Sequence, residues 1–186
     1  MSSGLAPSAA AGSGLPGLIS AKIRDIPDYP QPGVVFKDIT PLLADGDAFA
    51  AVVSAIAEAS ASGGIDKVVG IEARGFILAA PVACCLRAGF VPVRKQGKLP
   101  AETLGESYEL EYGTATVEVH VDAFRPGERV LIVDDVLATG GTAAASVSLV
   151  RRSGAEVAAV SVLLELGFLG GRARLPGVEV RSLLAV

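Results

Sequence analysis

"VLIVDDVLATGGT", residues Val130 to Thr142, runs four apolar residues straight into two adjacent acids and then into a Thr-Gly-Gly-Thr turn. The apolar run predicts a buried strand. On a strand, successive side chains point to opposite faces. At the carboxyl end of a parallel strand, however, Asp134 and Asp135 can both turn into the crevice where such sheets bind ligands. Buried carboxylates are costly unless paired or hydrogen-bonded, so two of them imply partners, and the hydroxyls of a sugar would serve, with or without Mg²⁺. Past the acids, Ala138, Thr139, Gly140, Gly141 and Thr142 form a loop whose glycines allow close backbone approach, at the start of a predicted helix. That is a place for a phosphate. The turn alone reads equally well as an ordinary strand-to-helix connection capped by Thr142; the acid pair shifts the balance. No lysine follows the second glycine, so this is not a Walker loop. A sugar phosphate fits: hydroxyls on the acids, phosphate on the loop.

Working outward, the hydrophobic period alternates between that of strands and that of helices. Leu18 to Ile26 predicts a short helix, and Asp47 to Ala61 a longer one. "KVVGI" (67–71) predicts a strand, the apolar run around Leu78 to Leu86 a buried helix with Pro81 near its first turn, and "FVPVRK" another strand. After "RVLIV" come a helix in "TAAASVSLVRRSG", a strand in "EVAAVSVLLEL" and a last apolar stretch near Val178 to Leu184. This order predicts an α/β fold, an open parallel sheet with helices on both faces. One segment breaks the pattern. Lys95 to Gly113 is polar and aperiodic and is expected to be a mobile flap, while "TATVEVHVD" after it alternates, with the only histidine, His120, on its solvent side.

At 186 residues the chain suits a single domain, taken as residues 18–186, and the uncharged Ala/Ser/Gly/Pro stretch 1–17 reads as a disordered leader. That stretch contains a G-x-G-x-x-G string at Gly12 to Gly17, but no strand could precede it, so it is no dinucleotide fingerprint. Sixteen basic against 20 acidic residues give a net charge of −4, which speaks against nucleic acid as a partner. Cys84 and Cys85 are neighbours in an apolar run, which suits neither a disulfide framework nor a zinc site and points to a reducing cytoplasm. The longest apolar run, Phe76 to Leu86, is short of the roughly 20 residues of a membrane span.

The opening stretch resembles the phosphoribosyl-pyrophosphate (PRPP) signature of the type I phosphoribosyltransferases. "PDYPQPGVVFKDITPLL" (27–43), "GIEARGF" (70–76), "VPVRKQGKLP" (91–100) and "YELEYG" (108–113) narrow the resemblance to the adenine-specific members. It implies a sheet with a small hood and a flap, and transfer of ribose 5-phosphate from PRPP to adenine with Mg²⁺ on the pyrophosphate, held mainly by the substrate and water. It implies that Asp134 and Asp135 hold the ribose hydroxyls, and that Ala138 to Thr142 hold the 5-phosphate. Arg74 falls on the pyrophosphate, where a planar cation suits bidentate phosphate recognition. Arg94, Lys95 and Lys98 become leaving-group contacts and Tyr112 a further PRPP contact. Phe36 and Val136 enclose the adenine ring, with backbone groups of Val35 and Lys37 reading its edge. Glu111 becomes the base that takes the N9 proton. The resemblance also implies a homodimer. Two other readings stand beside this one: a PRPP-sensing regulator of nucleic acid, for which no basic domain is visible, and a transferase for 6-oxopurines or pyrimidines.

Overall fold

The computed structural model describes residues 14–109 and 113–186. The chain gathers into two compact units, one up to Ala51 and one from Val52, where a single domain is the expectation from sequence.

In the first unit, α1 (Leu15–Lys22) begins inside the stretch expected to be a disordered leader, with Pro16 in its first turn, where a missing N–H costs little. The rest of that stretch, up to Ser13, lies outside the described residues. The helix also ends earlier than its apolar period suggests. Arg24–Pro27 forms β1, paired antiparallel with β2 (Val35–Asp38), so that Asp25 faces Lys37 and Ile26 faces Phe36. Then come α2 (Thr40–Leu43) and α3 (Gly46–Ser60), whose length carries the chain into the second unit.

The second unit contains β3 (Lys67–Ile71), α4 (Gly75–Leu86), β4 (Gly89–Lys95), β5 (Thr103–Glu109) and β6 (Thr114–His120). It continues with β7 (Arg129–Leu137), α5 (Gly141–Arg152), β8 (Glu156–Glu165) and β9 (Val180–Ala185). Among the described residues these strands form one seven-stranded sheet in the order β5-β6-β4-β3-β7-β8-β9. The five strands from β4 to β9 are parallel, as expected, but β6 runs antiparallel to β4 and β5 antiparallel to β6, so the sheet is mixed. Of the added pair, β5 lies where the sequence predicts a flap, and β6 is the alternating stretch that follows it.

Strand alternation divides the core between two faces. Val69, Ile71, Val130, Ile132, Val160 and Val162 share one hydrophobic cluster with Ala143, Val147, Leu149 and Val150 of α5. On the other face Gly70 of β3 packs against α4. At Gly70 a Cβ would stand 2.9 Å from Ala79 Cβ and 2.8 Å from Phe90 Cε2, so a side chain there has no room. Pro81 lies in the body of α4, past its first turn. This helix buries Leu78, Ala79, Val82 and Ala83 but leaves Ile77, Cys84 and Cys85 exposed, so it is half-buried where its uniformly apolar sequence suggests full burial. Among the described residues no helix is long and apolar enough to cross a membrane.

Candidate active site

The parallel neighbours β3 and β7 end on the same edge of the sheet, and each gives way there to a turn and a helix. Gly75 opens α4 directly against β7. A Cβ at this position would stand 2.8 Å from Asp134 Oδ1 and 2.9 Å from the Val133 carbonyl oxygen. That closeness brings Arg74 over the acid pair, and its Nε–H donates to Asp135 Oδ2. The Asp135 side chain is only 8% exposed, so an opposite charge beside it offsets the cost of burying its own.

Asp134 is half-buried, and its Oδ1 accepts the Asp135 N–H at 2.9 Å. Burial, followed by the adjacent Asp135 charge, pushes the Asp134 carboxyl well above the usual carboxylate range. The two acids are still part of β7, yet both reach one cleft of about 350 Å³ that is also lined by Glu72, Arg74, Lys95, Tyr108 and Thr142. A smaller hollow of about 80 Å³, lined by Asp134, Val136 and the run from Leu137 to Ala143, adjoins it through Asp134 and Thr142.

The loop below that hollow needs its glycines. Gly140 has φ +81°, in the left-handed region that favours glycine, and its carbonyl accepts the Ala144 N–H at 2.9 Å as α5 begins. At Gly141 a Cβ would come 2.9 Å from Tyr108 Cδ2. The Thr142 hydroxyl donates to Tyr108 Oη at 3.0 Å, which ties β5 to the loop. Sequence reasoning does not single out Tyr108. The signal is the alternation of Leu104, Glu106 and Tyr108 as the inward residues of β5, one of them charged and paired with Arg152.

Glu72 is the other residue missed. Its Oε1 meets Lys98 Nζ at 2.6 Å, and its Oε2 accepts the Lys95 N–H at 3.0 Å and the Arg94 Nε–H at 3.3 Å. Burial opposes ionisation of this carboxyl, but Lys98, the Lys95 amide and Arg94 outweigh it and hold its pKa down to about 2. Of the basic cluster expected at the pyrophosphate, Lys95 lines the cleft, while Arg94 and Lys98 turn to Glu72. The signal was present in "GIEARGF", an acid two residues before Arg74 at the end of a strand.

Val136 lines the smaller hollow. Val35, Phe36 and Lys37 lie on β2 of the first unit: Val35 is exposed, Phe36 meets Tyr29 edge-on with ring centroids 5.3 Å apart, and Lys37 Nζ binds both oxygens of Asp25 at 2.8 and 2.9 Å. Glu111 and Tyr112 lie outside the described residues. His120 is half-buried where a solvent-facing position is expected, its Nε2 having no hydrogen-bond partner among the described residues. Glu118 on the same face is buried and accepts the Gly97 N–H at 2.9 Å. No group of three or more His, Cys, Asp or Glu gathers as metal ligands among the described residues.

Comparison with known proteins places this geometry in context. The family described as phosphoribosyl transferase domain matches residues 39–172. The adenine phosphoribosyltransferase of Acidothermus cellulolyticus is 68% identical over 169 residues, covering 91% of this chain and 96% of the relative. That of Thermobifida fusca is 66% identical with the same coverage. Among solved structures, adenine phosphoribosyltransferase from Rhodothermus marinus superposes with a TM-score of 0.89 at 53% identity, covering 92% of this chain and 98% of that one. The enzyme from Saccharomyces cerevisiae, complexed with adenine and an imino-altritol bisphosphate, superposes with a TM-score of 0.88 at 36% identity, covering 91% and 98%.

Proposed function

Because the chain belongs to the adenine phosphoribosyltransferases, we propose that the cleft at the ends of β3 and β7 is where the 5-phosphoribosyl group passes from PRPP to N9 of adenine, giving AMP and pyrophosphate. The observation that carries this reading is the Asp134–Asp135 pair, with Arg74 on one side and the Gly140–Gly141 loop on the other.

Asp134 and Asp135 bind the two ribose hydroxyls. A half-buried carboxyl with a raised pKa gains from hydroxyl donors, because they replace the water it has lost. As the bond to pyrophosphate breaks, positive charge grows on the sugar ring, and the same two carboxylates stabilise it in place. The backbone amides of Ala138 to Thr142 and the Thr142 hydroxyl take the 5-phosphate at the start of α5. Arg74 and Lys95 face the cleft from the other side and meet the pyrophosphate. Arg94 and Lys98, held by Glu72, add positive charge behind them. The fixed groups position both substrates for direct displacement, so no covalent nucleophile is required.

The carboxylate oxygens of Asp134 and Asp135 fit Mg²⁺ held through its water shell rather than in a closed cage, and such an ion would supply neutralisation of charge on the pyrophosphate. For adenine, Val136 is an apolar contact at the smaller hollow. Glu111 accepts the N9 proton and Tyr112 contacts PRPP. A homodimer is supported by the apolar face that α4 and the start of β4 leave open, with Ile77 at 44% and Phe90 at 40% exposure. A cytoplasmic setting suits the exposed free thiols of Cys84 and Cys85.

The test is incubation with PRPP, Mg²⁺ and each free base in turn. AMP from adenine, with no nucleotide from hypoxanthine, guanine or uracil, is the expected result. Absence of AMP would defeat the proposal.

A further inference from the structure

Beyond β8 the chain doubles back and presents Gly171 to the far side of the loop that follows β7. Gly171 is buried, and a Cβ built on it would stand 2.3 Å from the Ala138 carbonyl oxygen and 3.1 Å from Leu137 Cγ. In the reverse direction, a Cβ on Gly140 would stand 2.4 Å from the Gly171 carbonyl oxygen. The two backbones therefore touch with no side chain between them. Gly140 also needs its left-handed φ, but Gly171 has none to accommodate, so its need for glycine comes from this contact alone.

The residue after Gly171 is clamped. Arg172 donates Nε–H to Glu165 Oε1 at 2.6 Å, an Nη2 hydrogen to Oε2 at 2.7 Å and an Nη1 hydrogen to the Val180 carbonyl at 2.7 Å. The Ser182 hydroxyl donates to Glu165 Oε2 at 2.9 Å, and Glu165 itself is buried at 7% exposure. A two-pronged guanidinium–carboxylate pair fixes direction as well as distance. One further bond, from the Leu166 N–H to the Leu137 carbonyl at 2.9 Å, joins the end of β8 to the end of β7.

We infer that Gly171, held by the Glu165–Arg172 pair, is a positioning residue that braces the loop Ala138–Thr142 from behind and so sets affinity for the 5-phosphate of the sugar. The inference rests on the assignment of that loop to the phosphate. An amide cup binds an oxyanion best when its N–H groups already converge, since the ligand then spends no binding energy on ordering them. A Cβ on Gly171 would meet both the Ala138 carbonyl oxygen and, at 3.2 Å, the Gly140 nitrogen, so the bare glycine holds two backbone groups of the loop in place.

Calorimetric titration of the full chain with ribose 5-phosphate, and separately with pyrophosphate and Mg²⁺, tests this. G171A is expected to bind ribose 5-phosphate about tenfold more weakly or worse, and pyrophosphate within about twofold of the parent. R172K keeps the charge but loses the fork, and is expected to shift the same ligand in the same direction by about threefold. F168A, at a neighbour in the same segment that is 77% exposed, is expected to leave both affinities unchanged. Unaltered ribose 5-phosphate binding in G171A overturns the inference while leaving the assigned function intact. So does an equal loss of both ligands, the mark of a merely structural role. If G171A does not fold, R172K decides by the same criterion. If the parent chain binds no ribose 5-phosphate at all, the assignment of the loop falls first and the inference with it.

Discussion

Arg74 donates its Nε–H to Asp135 across 61 residues of sequence, joining the turn after β3 to the carboxyl end of β7. One contact thereby links the group assigned to the leaving pyrophosphate with a group assigned to the ribose.

Asp135→Asn removes the anion that orients Arg74 and weakens one acceptor for the ribose diol. A hydrogen bond to a charged group is worth about 1.5–3 kcal/mol, so the KM for PRPP is expected to rise roughly tenfold to a hundredfold. Steady-state kinetics with PRPP varied at saturating adenine measures it. Unchanged kinetics in both D134N and D135N would refute the assignment of the pair to ribose.

Asp134→Asn is expected to separate stability from function. Burial and the Asp135 charge raise the folded-state pKa of Asp134. For an acid shifted upward, the associated stability is present below the unfolded value, about 3.9, and is lost as pH rises through the folded value. D134N escapes that loss. Without ligand it should melt above the parent at pH 8 and close to it at pH 4, while binding PRPP less well. Thermal unfolding at both pH values checks this; a lower melting temperature at pH 8 contradicts it.

Glu72 titrates in the opposite sense. Its pKa is lowered to about 2, so its contribution to stability is present above the unfolded value of about 4.3 and disappears as pH falls toward about 2. Glu72→Gln should lower the melting temperature at pH 7, with the gap from the parent closing between pH 4 and pH 2. A pH-independent gap would mean that packing of the side chain, not its charge, matters.

Gly70→Ala forces a methyl between β3 and α4, against Ala79 Cβ and the Phe90 ring. Overpacking of this kind costs about 1–3 kcal/mol, a few degrees in melting temperature for each kcal/mol in a chain of this size. PRPP affinity should hold, because Gly70 lies a full turn of chain before Arg74. A stability equal to the parent would show that Phe90 gives way freely.

The flap shows where reading from sequence stops. "TLGESYE" carries no run of apolar residues, yet Thr103–Glu109 pairs in register with Thr114–His120. Its inward side includes Glu106, whose charge is met by Arg152 of α5, so the hydrophobic alternation that marks a strand is broken by an ion pair formed only in the fold. Likewise, the basic residues at Arg94 and Lys98 look free in the sequence, because their counter-charge Glu72 sits on another strand's end.

What the sequence determined by itself was local: the succession of strands and helices, the acid pair at a strand's end and the glycine loop after it. Hydrophobic period, the cost of burying a carboxylate and the backbone freedom of glycine all act over a few neighbouring residues, so they can be read in order along the chain. The tertiary structure alone decided that Arg74 meets Asp135, that Glu72 gathers Arg94, Lys95 and Lys98, and that Gly171 touches Ala138 and Gly140. Those contacts depend on which strands become neighbours and on backbones approaching to within a methyl's width, and neither leaves a mark in the order of the residues.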